Sequence, residues 1–161
     1  MQLPSYFSLE QNYDTDSDTN AVKARMGGGL TASWLGNNTC AMRVSKALNY
    51  AGVAHRIKRG HGMEVVKGED GLLYGYRVAE LKKYMKSIYG SPKLIEKGTK
   101  IKQADFYNRK GIIAFDVKGW SDATGHFSLW DGAKVLYGDE FSLPTTGTGV
   151  TLVQVSLWVC P

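Results

Sequence analysis

Near Lys110 the apolar residues of this chain change their spacing from every third or fourth position to every second, and that switch limits the folds open to it. Before it, Ala41, Val44, Ala47, Leu48 and Ala51 fall on one side of a helix that Gly52 stops. Val78, Leu81, Tyr84, Met85 and Ile88 form a second stripe, with Lys82, Lys83 and Lys86 on the outer face and Gly90-Ser91-Pro92 as the terminator. After it, residues 111–117, 126–130, 134–137 and 150–159 read as four strands separated by turn residues, with Trp130 and Trp158 as sheet packing. Helices first and strands second predict an α+β domain, its N-terminal helices packed on a mainly antiparallel sheet. Residues 1–36 are polar and mixed, and read as a short helix or coil followed by a loop through Gly27-Gly28-Gly29. The glycine-rich, charged stretch from His55 to Gly75 reads as an exposed connection.

At 161 residues and 43% hydrophobic content, the chain has material for one core, so residues 1–161 are expected to form a single domain. Residues 1–10 carry neither a basic leader nor an apolar run, and no stretch approaches the roughly 20 apolar residues of a membrane span. The expectation is a chain made in the cytoplasm without a signal peptide and without membrane insertion. Its formal charge of +5 arises from 20 Lys and Arg against 15 Asp and Glu, grouped at residues 55–59 and 82–110. That balance favours anionic partners, including carboxylate-rich peptides. No zinc spacing, helix-turn-helix signature or RNA-binding aromatic motif accompanies it, so nucleic acid is not an expected partner. His55, His61 and His126 show no helical pairing or companion CxxC, so no metal ligands are assigned. A pairing of Cys40 with Cys160 cannot be deduced from their positions.

Cys40 stands on the first turn of the earlier helix, behind the capping residues Asn38 and Thr39. A helix start presents unpaired N–H groups and a partial positive charge, which favours thiolate over thiol. His126, beside Gly125 on a predicted strand, supplies an imidazole to exchange the proton. A thiol amidase also needs oxyanion donors and a group that holds the imidazole tautomer. The Cys40 N–H, helped by Asn37 or Asn38, answers the first need. Asp139 is the candidate for the second if its segment runs beside His126, with Asp131 as runner-up because an Asp-Gly pair more often serves a turn. A lone helix-start cysteine is more often a small buried hydrophobe, and a lone strand histidine a satisfied side chain. The two together, in this order, carry the catalytic reading.

The runs Asn38-Thr39-Cys40-Ala41-Met42-Arg43-Val44-Ser45-Lys46-Ala47-Leu48-Asn49 and Gly119-Trp120-Ser121-Asp122-Ala123-Thr124-Gly125-His126-Phe127-Ser128-Leu129-Trp130-Asp131-Gly132 resemble the two signature blocks of the fourth family of type VI secretion amidase effectors. The resemblance runs from about Asn37 to Cys160. It implies a papain-like fold akin to NlpC-type cell-wall peptidases, with Cys40 and His126 in the catalytic roles and no cofactor. It also implies a DL-endopeptidase that cuts the D-glutamate to meso-diaminopimelate bond of peptidoglycan stem peptides. Such an effector leaves through the type VI apparatus for the periplasm of a rival cell, and its producer holds a cognate immunity protein. The family places an Asp after the His between a close pair of cysteines. Here the region reads Ala133-Lys134-Val135-Leu136-Tyr137-Gly138-Asp139-Glu140, without that pair, so Asp139 fits only with a shift in register. Two other readings use the same residues: a catalytically silent module binding wall peptide or protein, and a transglutaminase-type transferase.

Overall fold

A computed structural model describes every residue from Met1 to Pro161. The chain begins with helices α1 (Tyr6–Gln11) and α2 (Thr19–Met26), each started by a side chain that accepts a first-turn N–H: Ser5 from Ser8 and Asp18 from Ala21. Two 3-10 turns, Gly28–Thr31 and Ser33–Leu35, lead to helix α3 (Cys40–Tyr50). There follow a two-stranded hairpin, β1 (Val65–Lys67) and β2 (Leu73–Gly75), and helix α4 (Val78–Tyr89). The second half is a four-stranded antiparallel sheet in the order β3-β6-β4-β5, formed by β3 (Leu94–Lys97), β4 (Gly111–Lys118), β5 (Gly125–Trp130) and β6 (Thr151–Val159).

The sheet is covered on both sides, which is why β4 reads as the nearly unbroken apolar run Ile112-Ile113-Ala114-Phe115 rather than as a strict alternation. Ile112, Ala114, Phe127, Leu129 and Trp158 face the helices and join Val44, Leu48, Leu81 and Met85 in one core. Ile113, Phe115, Trp130, Leu152 and Val155 face the other way and pack with Phe106 and the loop residues Phe141 and Leu143. Each fully buried side chain of this size contributes about 1.5–3 kcal/mol.

Helix α3 is the axis of the fold. Its residues are buried almost throughout, because the apolar stripe lies on α1, α4 and β5 while polar residues on the other face cap the hairpin. Ser45 Oγ accepts the Gly75 N–H at 3.0 Å, and Asn49 donates to the Leu73 carbonyl and accepts the Ile57 N–H, both at 2.8 Å. These bonds correct the expectation for residues 55–75. The segment is not merely an exposed connection, since Ile57, Met63 and Tyr74 enter the core and residues 65–75 form the hairpin.

The expected helices and strands are present with limited changes. The two main helices start and stop within a residue or two of their stripes. Residues 134–137 make only one isolated bridge, Trp130 to Val135, in place of a full strand. No sequence signal marks strand β3, because its run Leu94-Ile95-Glu96-Lys97 is two apolar residues followed by two charged ones, with no alternation to read. Both cysteines are free thiols. No helix is long and apolar enough to cross a membrane.

Candidate active site

The loop before α3 is fixed by a lysine that sequence reading did not single out. Lys23, buried on α2, donates from Nζ to the carbonyls of Ala32 (3.2 Å) and Gly36 (2.9 Å) and so sets where the chain turns into Asn37 and Asn38. Asn38 Oδ1 then accepts the Cys40 N–H at 3.2 Å, which makes Asn38 the side chain that caps this end of the helix. Thr39 does not cap it, and its hydroxyl instead accepts from Arg43 Nε at 2.9 Å.

Cys40 is 1% exposed and lies against β5, where the Phe127 N–H is directed at the sulfur. Burial pushes the thiol up to about 11, against the opposing pull of the Phe127 and Ala41 N–H groups and the Arg43 cation. This corrects the expectation of a resting thiolate: the helix start does favour the anion, but removal from water outweighs it. Alkylation at Cys40 by iodoacetamide, followed by peptide mass mapping, is therefore expected to be slow at neutral pH and to accelerate as pH climbs toward about 11. A midpoint below about 7 would instead reveal an ion-paired resting state.

His126 is buried on β5, stacked on Phe115, and its Nε2 stands 2.6 Å from the Tyr137 carbonyl oxygen. A carbonyl only accepts, so Nε2 carries the proton and Nδ1 is left with the lone pair that a thiol proton would need. Burial lowers the pKa of the ring and the nearby Arg43 cation adds to this, while the Tyr137 bond acts in the opposite sense. The consequence for stability has a definite sign. The unfolded histidine, near 6.5, takes up a proton more readily than the folded one, so this contribution is present above pH 6.5 and is lost as pH falls below it. For Cys40 the folded thiol holds its proton more tightly, so stability is present below pH 9.0 and is lost as pH rises toward about 11.

The segment after β5 brings the carbonyl into place. Asp131 Oδ1 accepts the N–H groups of Ala133 (2.9 Å) and Lys134 (2.8 Å) and turns the chain back along the strand. The Leu136 N–H donates to the Leu129 carbonyl at 3.0 Å, and the Tyr137 N–H to Ser128 Oγ at 3.1 Å. Gly138 follows in the left-handed region at φ +68°, where a Cβ would stand 2.5 Å from His126 Nε2. Asp139 does not reach the imidazole by a hydrogen bond: its Oδ1 accepts the Phe141 N–H at 2.9 Å, and a main-chain oxygen holds the ring nitrogen it was expected to orient. Asp131 is the turn residue, as an Asp-Gly pair suggests.

An open groove of about 320 Å³ runs past these elements, with Asn37, Asn38 and Thr39 on one side and His126, Tyr137 and Gly138 on the other. It continues through Asn38, Asp122 and Ala123 into a second groove of about 520 Å³, walled by Trp34, Tyr76 and Lys83. No local pattern marks Trp34 or Tyr76 for this wall, since neither belongs to a periodic element.

Fold and site define a class: an α+β amidase-type domain in which a helix-start thiol packs on the strand that carries an imidazole, beside an open groove. The chain belongs to the family of type VI secretion system amidase effector protein 4, whose model matches residues 36–158, and it is thereby an antibacterial peptidoglycan amidase. Among solved structures, Salmonella typhimurium Tae4 bound to the Enterobacter cloacae immunity protein Tai4 matches with a TM-score of 0.81 and 30% identity, covering 98% of this chain and 99% of the other. The Salmonella Typhimurium Tae4-Tai4 complex matches with a TM-score of 0.80 and 29% identity over the same shares. The Enterobacter cloacae Tae4 structure, at 23% identity and a TM-score of 0.83, covers all of both chains and supports the fold alone. A comparison with curated proteins finds no match.

Proposed function

We propose that this effector is a thiol-dependent DL-endopeptidase that hydrolyses the D-glutamate to meso-diaminopimelate amide bond of peptidoglycan stem peptides. The observation that carries the reading is the fixed tautomer of His126: with Nε2–H given to the Tyr137 carbonyl, Nδ1 is the base, in the groove that passes the start of the Cys40 helix. Both partners rest neutral in this reading. The thiol yields its proton to Nδ1 as the sulfur attacks the amide carbon, and the imidazolium returns it to the departing amine. The resulting thioester is then hydrolysed by water activated by the same ring. The Cys40 N–H, held by Asn38 Oδ1 at rest, is the oxyanion donor once substrate displaces that contact, and the Asn38 side-chain amide is a second one. Lys83 in the adjoining groove suits a stem peptide rich in carboxylates.

The type VI apparatus delivers the effector to the periplasm of target cells, and a cognate immunity protein covers the groove in the producing cell. The Salmonella Typhimurium Tae4-Tai4 effector-immunity complex supports the existence of such a partner. The test is digestion of purified muropeptides read by mass spectrometry. New meso-diaminopimelate amino termini support the reading. Cleavage at another bond refutes the assigned specificity, and incorporation of an added amine in place of water identifies a transferase. Because the Asp139 carboxylate is engaged by Phe141, Asp139→Ala is expected to change turnover by no more than about threefold. A loss of a hundredfold or more would return the orienting role to Asp139.

A further inference from the structure

We propose that Arg43 is the positioning residue of this site, acting through Tyr137 on His126. The side chain is fully buried, and each part of it grips a different segment. Nε donates to Thr39 Oγ1, next to the nucleophile, at 2.9 Å. Nη1 donates to the carbonyls of Asp14 (2.9 Å) and Asp16 (2.6 Å), which anchor it to the turn between α1 and α2. The guanidinium lies 3.6 Å from the centroid of the Tyr137 ring, within cation–π distance.

Burying a cation with incomplete hydrogen bonding is costly, and Nη2 has no partner at all. A role confined to packing would be filled more cheaply by Leu or Met. What the arginine adds is a rigid support beneath Tyr137. The edge of β5 holds this main chain, Leu129 accepting the Leu136 N–H and Ser128 the Tyr137 N–H, and the guanidinium holds the Tyr137 ring. The carbonyl between them is the one that fixes the His126 tautomer. A backbone carbonyl carries no negative charge and cannot stabilise an imidazolium as a carboxylate does, so its effectiveness depends on placement. Arg43 therefore couples the helix that carries the thiol to the segment that orients the base.

The same cation opposes protonation of His126. The other titratable or charged groups around the ring are Tyr137, Glu140 after β5, Asp122 in the β4–β5 turn, and Asp116 on β4, which is ion-paired with Lys82. Tyr13 lies behind them, bonded to Ser128.

This inference rests on the amidase reading above, and its test includes a measurement that does not depend on cleavage. The full-length variants Arg43→Met, Arg43→Lys, Tyr137→Leu and Tyr137→Phe are assayed for kcat and KM on muropeptides, and the His126 ring nitrogens are titrated by 15N NMR. Tyr137→Phe keeps the ring and the carbonyl and is expected to keep the single-tautomer Nε2–H signature. Tyr137→Leu loses the ring face and is expected to lower kcat about tenfold or more with KM nearly unchanged, while Nε2–H loses its single-tautomer signature. Arg43→Met is expected to lower kcat by at least as much and to raise the His126 titration point, whereas Arg43→Lys retains the charge and leaves that point low. If Arg43→Met fails to fold, Tyr137→Leu decides alone. Wild-type kcat with an unchanged His126 tautomer in Tyr137→Leu would overturn the proposal. Loss of the amidase reading would show separately, as cleavage that survives Cys40→Ala.

Discussion

Replacing Cys40 with alanine is expected to abolish muropeptide cleavage, by about 10⁴-fold or more, while the protein still folds. No other group can take the place of the sulfur: the only other thiol, Cys160, is at the far end of the chain beside Pro161, in a cavity it shares with Met1 and Trp158. Thiol, base and oxyanion donors act as a unit, so removal of the nucleophile alone forfeits most of the rate enhancement. The structural cost is small because alanine is a strong helix former and the sulfur leaves a void no larger than a methyl group, worth about 1 kcal/mol. Urea unfolding measures that cost and liquid chromatography with mass detection measures the activity. Product formation at the wild-type rate by the folded variant would remove Cys40 from the mechanism.

Gly138→Ala is expected to lower turnover about a hundredfold, although Gly138 has no side chain. Two physical effects combine there. At φ +68° an alanine pays a backbone penalty of about 1 kcal/mol. In addition its Cβ would fall 2.5 Å from His126 Nε2 and 2.8 Å from Cε1, closer than real contacts allow, so the ring must move away from the Tyr137 carbonyl. A base displaced by about 1 Å loses roughly two orders of magnitude in rate. Gly147→Ala separates the two effects, because Gly147 also has a positive φ, +108°, but nothing lies within 4 Å of its added Cβ. It should lose stability and keep full turnover. If the two alanine variants turn over equally fast, close packing of Gly138 on the imidazole has no part in catalysis.

The positions of these residues differ in how visible they are in the sequence. Helix α3 and the strand bearing His126 were legible because each has a local signature: an apolar stripe at helical spacing behind a polar cap, and a short β-rich run between glycines. The hairpin at residues 65–75 was not, since its strands are three residues each and β2 is held by helix side chains, Ser45 and Asn49, far away in sequence. Whether Asp139 meets the ring was hidden for a related reason. Sequence order can suggest which carboxylate approaches a histidine, but an orienting group need not be a side chain, and every residue carries a carbonyl. Lys23 and Arg43 were equally hidden, because a buried cation looks like any surface cation until its acceptors, all main-chain oxygens or a neighbouring hydroxyl, are folded around it.

By itself, then, the chain's spacing of apolar residues determined the helices, the principal strands and the α+β class, because those follow from periods of 3.6 and 2 read over a few turns or pleats. It also marked the two candidate reactive groups, a sulfur at a helix start and an imidazole beside a glycine. Only the tertiary structure decided their protonation and orientation. Desolvation of Cys40, the tautomer of His126 and the choice of the Tyr137 carbonyl over Asp139 all depend on which atoms lie within about 3 Å across segments distant in sequence, and no local pattern encodes that distance.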